Sequence, residues 1–233
     1  MKISLKIIKM RGTIIMAGKS TKGICYFCGK SITKAGAKKH LLTHECAVGD
    51  KQACMLVKVE SPYLKEYWLY ADIPLTSTLK SLDTFLRDIW LECCGHLSAF
   101  YWGRYDKISF SSKISSFSEG DTLSYEYDFG STTDLKITFM GIYFRKKQRA
   151  NVNLLARNDA PEYKCALCGK SAQIVCVDCM YEDDNCFYCE ECIEKHMDES
   201  DHEFTLPVVN SPRMGVCGYE GDGGKYDFKK ILY

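Results

Sequence analysis

The residues best able to do chemistry in this 233-residue chain are its 14 cysteines and five histidines. Near the N-terminus stands Cys25-x2-Cys28-x11-His40-x3-His44. Two cysteines at this spacing offer two thiolates from one tight knuckle, and Gly29 eases the turn. Histidines at i and i+4 face the same side of a helix and can close a tetrahedron around a divalent ion. The pattern is close to a zinc finger built from two Cys and two His, with a spacer of 11 residues where about 12 is usual. Cys46 competes with His44 for the fourth position. A second gathering, Cys165-x2-Cys168-x7-Cys176-x2-Cys179-x9-Cys189-x2-Cys192-x3-His196-x5-His202, supplies eight ligands. Eight fill two closed tetrahedral sites, so about three zinc ions are expected in all. Cys186-x2-Cys189 is an alternative third pair, which leaves Cys192 open. Closed sites order a chain and leave no position for an activated water.

The elements that must hold these groups read as α+β, a central antiparallel or mixed sheet with one main packed helix, flanked by two small zinc-stapled modules. Met55, Val57 and Val59 alternate with Leu56, Lys58 and Glu60 at a strand period. Residues 67–73 form a second strand ended by Pro74. A helix is expected from Leu79 to about Cys94, with Thr78 as N-cap and Gly95 as its stop. Leu79, Leu82, Phe85, Leu86, Ile89 and Trp90 share one face of it. Strand chemistry returns at 96–103, 105–110 and 124–129, and again through Leu135, Ile137, Phe139 and Tyr143. That makes a sheet of about five or six strands. The organisation read from the sequence is a basic extension (1–19), a finger (20–48), an α+β domain (52–148), a connection (149–163), a double zinc module (164–206) and an irregular tail (207–233). Met16 is an alternative start to Met1.

Charge is unevenly spread. Residues 1–50 carry 10 Lys and Arg against 2 Asp and Glu, whereas residues 158–233 carry 7 against 16. A basic head suits a polyanion and an acidic tail suits a protein partner. Lys30, Lys34, Lys38 and Lys39 are placed for phosphates, so nucleic-acid contact through residues 19–46 is an expectation. The finger positions that would read bases are the small Thr33, Ala35, Gly36 and Ala37, which make no bidentate base contact. No apolar run reaches the roughly 18 residues that span a bilayer. No membrane contact is therefore expected, and clustered thiols fit a reducing, cytoplasmic setting.

The C-terminal ligand order, with EECIEKHMDESDHEF, resembles the B-box type of zinc module. The resemblance implies interleaved sites: Cys165, Cys168, Cys189 and Cys192 at one ion, and Cys176, Cys179, His196 and His202 at the other. The stretch WLYADIPLTSTLKSLDTFLRDIWLECCGHLSAFYWG followed by YEYDFGSTTDLKITFMGIY is similar to the plasmid open-reading-frame-three-like proteins, also called insertion-element passenger resolvase-like proteins. The matching motifs are the strand before Pro74, the Thr78–Trp90 helix, His96-Leu97-Ser98-x-Phe100 and Tyr127-Asp128-Phe129-Gly130. Ser131-Thr132-Thr133-Asp134-Leu135 departs from the acidic and aromatic continuation of that family. The likeness spans roughly residues 20–220. It implies an α+β domain in a prokaryotic mobile-element context and no settled reaction.

A rival reading makes the middle domain a metal-assisted hydrolase or nuclease using Asp88, Glu92, His96 and Asp128, with Asp83, Arg87 and Asp134 as further polar candidates. Against it, Asp88 and Glu92 sit on the polar side of an amphipathic helix, where a solvated face is the default. Cys93 and Cys94 are expected as buried thiols near a helix C-terminus, which disfavours a thiolate. No Walker loop, dinucleotide fingerprint or nucleophile elbow occurs. Catalytic residues are therefore not assigned.

Overall fold

The computed structural model describes residues 22–45, 50–103, 105–147, 151–182 and 185–231. The extension at 1–19, Met16 and Cys46 lie outside the described residues.

Nine strands make one antiparallel sheet. In chain order they are β1 (Lys22–Cys25), β2 (Ser31–Thr33), β3 (Lys51–Glu60), β4 (Trp68–Pro74), β5 (Ser98–Trp102), β6 (Asp106–Ile108), β7 (Thr122–Tyr127), β8 (Thr133–Lys146) and β9 (Asn153–Asn158), and across the sheet they run β2-β1-β9-β4-β3-β8-β7-β5-β6. The sheet is covered on both faces where it is central. On β3, Met55, Val57 and Val59 face the helical side, while Cys54 and Leu56 pack on the opposite side with Trp68, Tyr70 and Tyr143. Every residue of β4 is buried, as a strand sandwiched between two layers requires. A bulge opposite Leu56 bends the long β8, and Gly141 takes φ +112° there.

Helix α1 (Ala37–Leu42) belongs to the finger, and α2 (Leu79–Leu86) lies on the helical face of the sheet. The apolar stripe of α2 is the expected one: Leu79, Leu82, Phe85, Leu86, Ile89 and Trp90 are all buried in one core. Thr78 is the N-cap residue by backbone, although its side chain makes no capping bond. The helix does not run to Cys94. After Leu86 the chain takes a single π turn, Arg87–Leu91, closed by Glu92 N–H donating to the Arg87 carbonyl at 2.8 Å, and Glu92 itself is extended. A π turn inserts one extra residue into the helical ladder. Here it coincides with Arg87, whose guanidinium joins buried Asp83 to the carbonyl of His96 (2.7 Å) and to Ser98 Oγ (2.9 Å).

Two expectations need correction. The middle region has six strands, β3–β8, as expected, but among the described residues their sheet runs to nine, because the finger hairpin β1–β2 joins it through β9. The stretch 149–163 is not a plain connection, since β9 lies within it and pairs with both β1 and β4. Its polar residues hid the strand: Arg157 pairs with Asp222 at 2.9 Å, and the Asn158 side chain accepts from Trp68 N–H at 3.1 Å. The C-terminal part forms its own small sheet of β10 (Ile174–Cys176), β11 (Phe187–Tyr188) and β12 (Thr205–Pro207), ordered β11-β10-β12, with α3 (Val177–Tyr181) and α4 (Glu190–Glu199). Residues 208–231 are turns and irregular chain.

Candidate metal centres

Among the described residues, four groups of Cys and His have the geometry to hold metal ions, each with its ligand atoms within 4.8 Å of one another. All five histidines of the chain belong to them. For zinc bonds of about 2.3 Å to sulfur and 2.0–2.1 Å to nitrogen, a tetrahedron has edges of roughly 3.8 Å (S–S), 3.6 Å (S–N) and 3.4 Å (N–N). Those edges are the test of fit.

The first group is Cys25, Cys28, His40 and His44. Cys25 ends β1, and Gly29 at φ +77° lets the chain fold back so that Gly29 N–H donates to the Cys25 carbonyl (2.7 Å) and Cys25 N–H to the Lys30 carbonyl (3.0 Å). The two histidines come from α1 and the turn after it. Cys28 Sγ lies 3.4 Å from His40 Nε2, His40 Nε2 3.4 Å from His44 Nε2, and Cys25 Sγ 3.8 Å from His44 Nε2. Burial pushes both imidazoles toward the neutral form that binds metal, and Phe27 stacks on His44 at 4.8 Å.

The second group, Cys165, Cys168, Cys189 and Cys192, repeats the same knuckle. Gly169 takes φ +72°, its N–H donates to the Cys165 carbonyl (2.9 Å), and Cys165 N–H donates to the Lys170 carbonyl (2.8 Å). Cys189 is the N-cap residue of α4 and Cys192 lies in its first turn. Cys168 and Cys189 sulfurs are 3.6 Å apart. Burial raises the Cys165 thiol, but backbone N–H groups of Cys189, Cys168 and Leu167 outweigh it and bring it down to about 6.

The third group is Cys176, Cys179, His196 and His202. Cys179 Sγ is 3.3 Å from both His196 Nε2 and His202 Nδ1, and Cys176 Sγ is 3.5 Å from His202 Nδ1. Outside the ligands, Glu182 faces His202 Nε2 at 3.3 Å, as carboxylates that orient ligating imidazoles do. Asp178 accepts N–H bonds from Glu203 and Phe204 and so fixes the loop that carries His202. Burial raises the Cys179 thiol to about 12, which is the cost a bound cation would offset. Cys186 is buried outside all four groups, and its carbonyl accepts from Cys176 N–H.

The fourth group was not expected. It joins Cys93, Cys94 and His96 to Cys217 of the C-terminal tail. Cys94 is exposed and Cys93 half-buried, contrary to the expectation of two buried thiols. The helix stops at Leu91, so the chain turns outward before either cysteine. The sequence carried one hint, three ligands within Cys93-Cys94-Gly95-His96, but the remaining ligand is 121 residues from His96.

The four rival catalytic residues do not gather. Asp88 bonds to Lys225 and Tyr226, and Glu92 bonds to Arg87 and Tyr127. Asp128 meets His96 Nε2 at 3.4 Å but is ion-paired with buried Arg213 at 2.7 Å. Asp134 lies elsewhere, directly across the strands from Glu126.

No protein-family model matches the chain, and no curated protein matches it. Among solved structures it is similar to a protein of unknown function, MM3350 from Methanosarcina mazei Go1, at 20% identity and a TM-score of 0.41, over 46% of this chain and 70% of that one. No helix is long and apolar enough to cross a membrane among the described residues.

Proposed function

We propose that this chain is a zinc-ordered interaction protein, an adaptor that meets a protein partner through its acidic C-terminal module. The observation that carries the reading is closure. Cys25, Cys28, His40 and His44, and the two interleaved sets between Cys165 and His202, each bring four ligand atoms to one point. Such sets suit zinc, with its tetrahedral preference for thiolate and imidazole, and they order structure rather than activate water. On α4, Glu190, Glu191, Glu194, Asp198 and Glu199 are exposed and present an acidic face. A basic partner surface is its complement. A reducing, cytoplasmic setting goes with this reading, because the thiols must stay free to bind. The family likeness of the middle region adds a prokaryotic mobile-element context to the proposal.

The finger supports a structural role more than a nucleic-acid one. Ala37 and Leu41 of α1 are buried with Trp68 and Tyr70 of the large sheet. Of the four lysines suited to phosphates, Lys34 is paired with Glu60 and Lys38 with Glu119. Lys30 and Lys39 remain as the finger's candidates for a polyanion. Electrophoretic shift of the zinc-loaded full chain with random-sequence duplex, read across salt, tests this. The expected result is no shift, or a salt-dependent shift that Lys30→Glu with Lys39→Glu leaves unchanged. A shift abolished by those two substitutions assigns the finger to nucleic acid and overturns the reading.

A further inference from the structure

Two parts of the chain that share no sequence motif converge at the end of the π turn. Glu92 is extended, Gly95 turns at φ +81°, and the Arg87 guanidinium holds the His96 carbonyl at 2.7 Å. Together these direct Cys93, Cys94 and His96 toward one point. The tail arrives from the other side. Ser211 Oγ donates to the Trp90 carbonyl at 2.7 Å and Tyr219 OH to the Ile89 carbonyl at 3.3 Å, so the tail satisfies two carbonyls at the end of the helix. Between those anchors Cys217 takes φ +57°, a left-handed conformation unfavourable for a residue other than glycine. That conformation presents its thiol to the same point.

Three of the four separations match the edges of a metal tetrahedron, and the fourth, Cys94 Sγ to His96 Nε2, is shorter than the S–N edge by about 0.6 Å. Cys94 Sγ is 3.8 Å from Cys93 Sγ, 3.6 Å from Cys217 Sγ and 3.0 Å from His96 Nε2, and Cys217 Sγ is 3.5 Å from His96 Nε2. Three sulfurs and one nitrogen form a donor set for a thiophilic divalent ion. The surroundings fit as well. Arg213, fully buried, directs one nitrogen at both Asp128 (2.7 Å) and Cys93 Sγ (3.5 Å), a charge-assisted donor to a ligand sulfur. Hydrogen bonding alone accounts poorly for the arrangement. One imidazole nitrogen faces two sulfurs and the Asp128 carboxylate at 3.4 Å, yet it carries at most one proton to share.

We infer that Cys93, Cys94, His96 and Cys217 form a fourth zinc site, which clasps the C-terminal tail onto the end of the α2 π turn. It differs from the other three in kind. Each of those orders a local knuckle with a helix, whereas this one closes a loop of more than a hundred residues and holds the tail against the main core. It is also open to solvent at Cys94 and Cys217, so its ion exchanges more readily. The inference does not depend on the adaptor reading.

Elemental analysis of the full chain, purified reduced, is expected to give four zinc ions per chain. Cys94→Ser and Cys217→Ser should each lower the count to three, while Cys186→Ser, outside every group, should leave four. Iodoacetamide labelling of the wild type covers the case of variants that fail to fold. Cys94 and Cys217 should label at least tenfold faster after brief chelation than before it. A wild-type count of three, labelling of Cys94 and Cys217 that is indifferent to chelator, or a Cys94–Cys217 disulfide in reduced preparations would overturn the fourth site.

Discussion

Asp134 shows what one carboxylate can do to this fold. It sits directly across β7–β8 from Glu126, and burial followed by the Glu126 charge pushes its carboxyl up to about 6. Like charges opposite one another destabilise a strand pair. An acid whose folded-state pKa lies above its unfolded value gives its full stability below the unfolded value, near 4. That stability is lost as pH rises toward 6 and stays lost above it. Asp134→Asn removes the titration. Denaturant unfolding at pH 7 should find the variant more stable by about 1 kcal/mol, a figure discounted for partial solvent screening, and the difference should vanish near pH 4. An equal difference at both pH values would show that the charge is not the cause. The metal knuckles are the residue-scale feature most legible in the sequence, because Cys-x2-Cys-Gly-Lys specifies its own turn locally at both Cys25 and Cys165. The Cys217 ligand was illegible for the opposite reason: its partners are fixed only once Ser211 and Tyr219 have docked on the helix end.

At the scale of elements, β9 decides how the finger is attached. Burial outranks polarity in this strand, with Leu154, Leu155, Ala156, Arg157 and Asn158 all buried. Sequence periodicity cannot reveal such a strand, because the partners of its polar members are distant groups, Asp222 and Asn210 among them. The main helix was legible in its apolar stripe but not in its end, since the π turn coincides with Arg87 bridging Asp83 to His96 and with no breaker residue. The β1–β9 seam also has a single weak point. A Cβ on Gly23 would lie 2.1 Å from the Arg157 carbonyl oxygen, and backbone on both sides leaves no cheap relief. Gly23→Ala should therefore part β1 from β9 at a cost of about 1–3 kcal/mol. Amide exchange should quicken across residues 22–25 and 153–158, with the metal content of the protein unchanged. Unchanged exchange in β9 would mean that the seam contributes little.

For the whole molecule, the distribution of apolar mass sets what metal removal can undo. The core between α2 and the sheet contains 25 buried residues and no buried cysteine. The C-terminal module has 13 buried core residues, five of them cysteines, and four of those five belong to metal groups. A core this small would need ions bound at those groups to offset the entropy of ordering its chain. The finger stands between these cases, because Phe27, Ile32, Ala37 and Leu41 share a core with Trp68, Tyr70 and Tyr143 of the sheet. Chelation of the reduced protein at neutral pH should thus act in a graded way. Amide protection should disappear across β10, β11, β12 and α4, weaken in α1, and survive in β3, β4, β7 and β8. Hydrogen exchange read by mass spectrometry separates these segments in one experiment. Simultaneous loss of protection everywhere would mean that the ions hold the large sheet too. Persistence of α4 protection after verified zinc removal would mean that the acidic module folds without them, and closure by metal would no longer explain its shape.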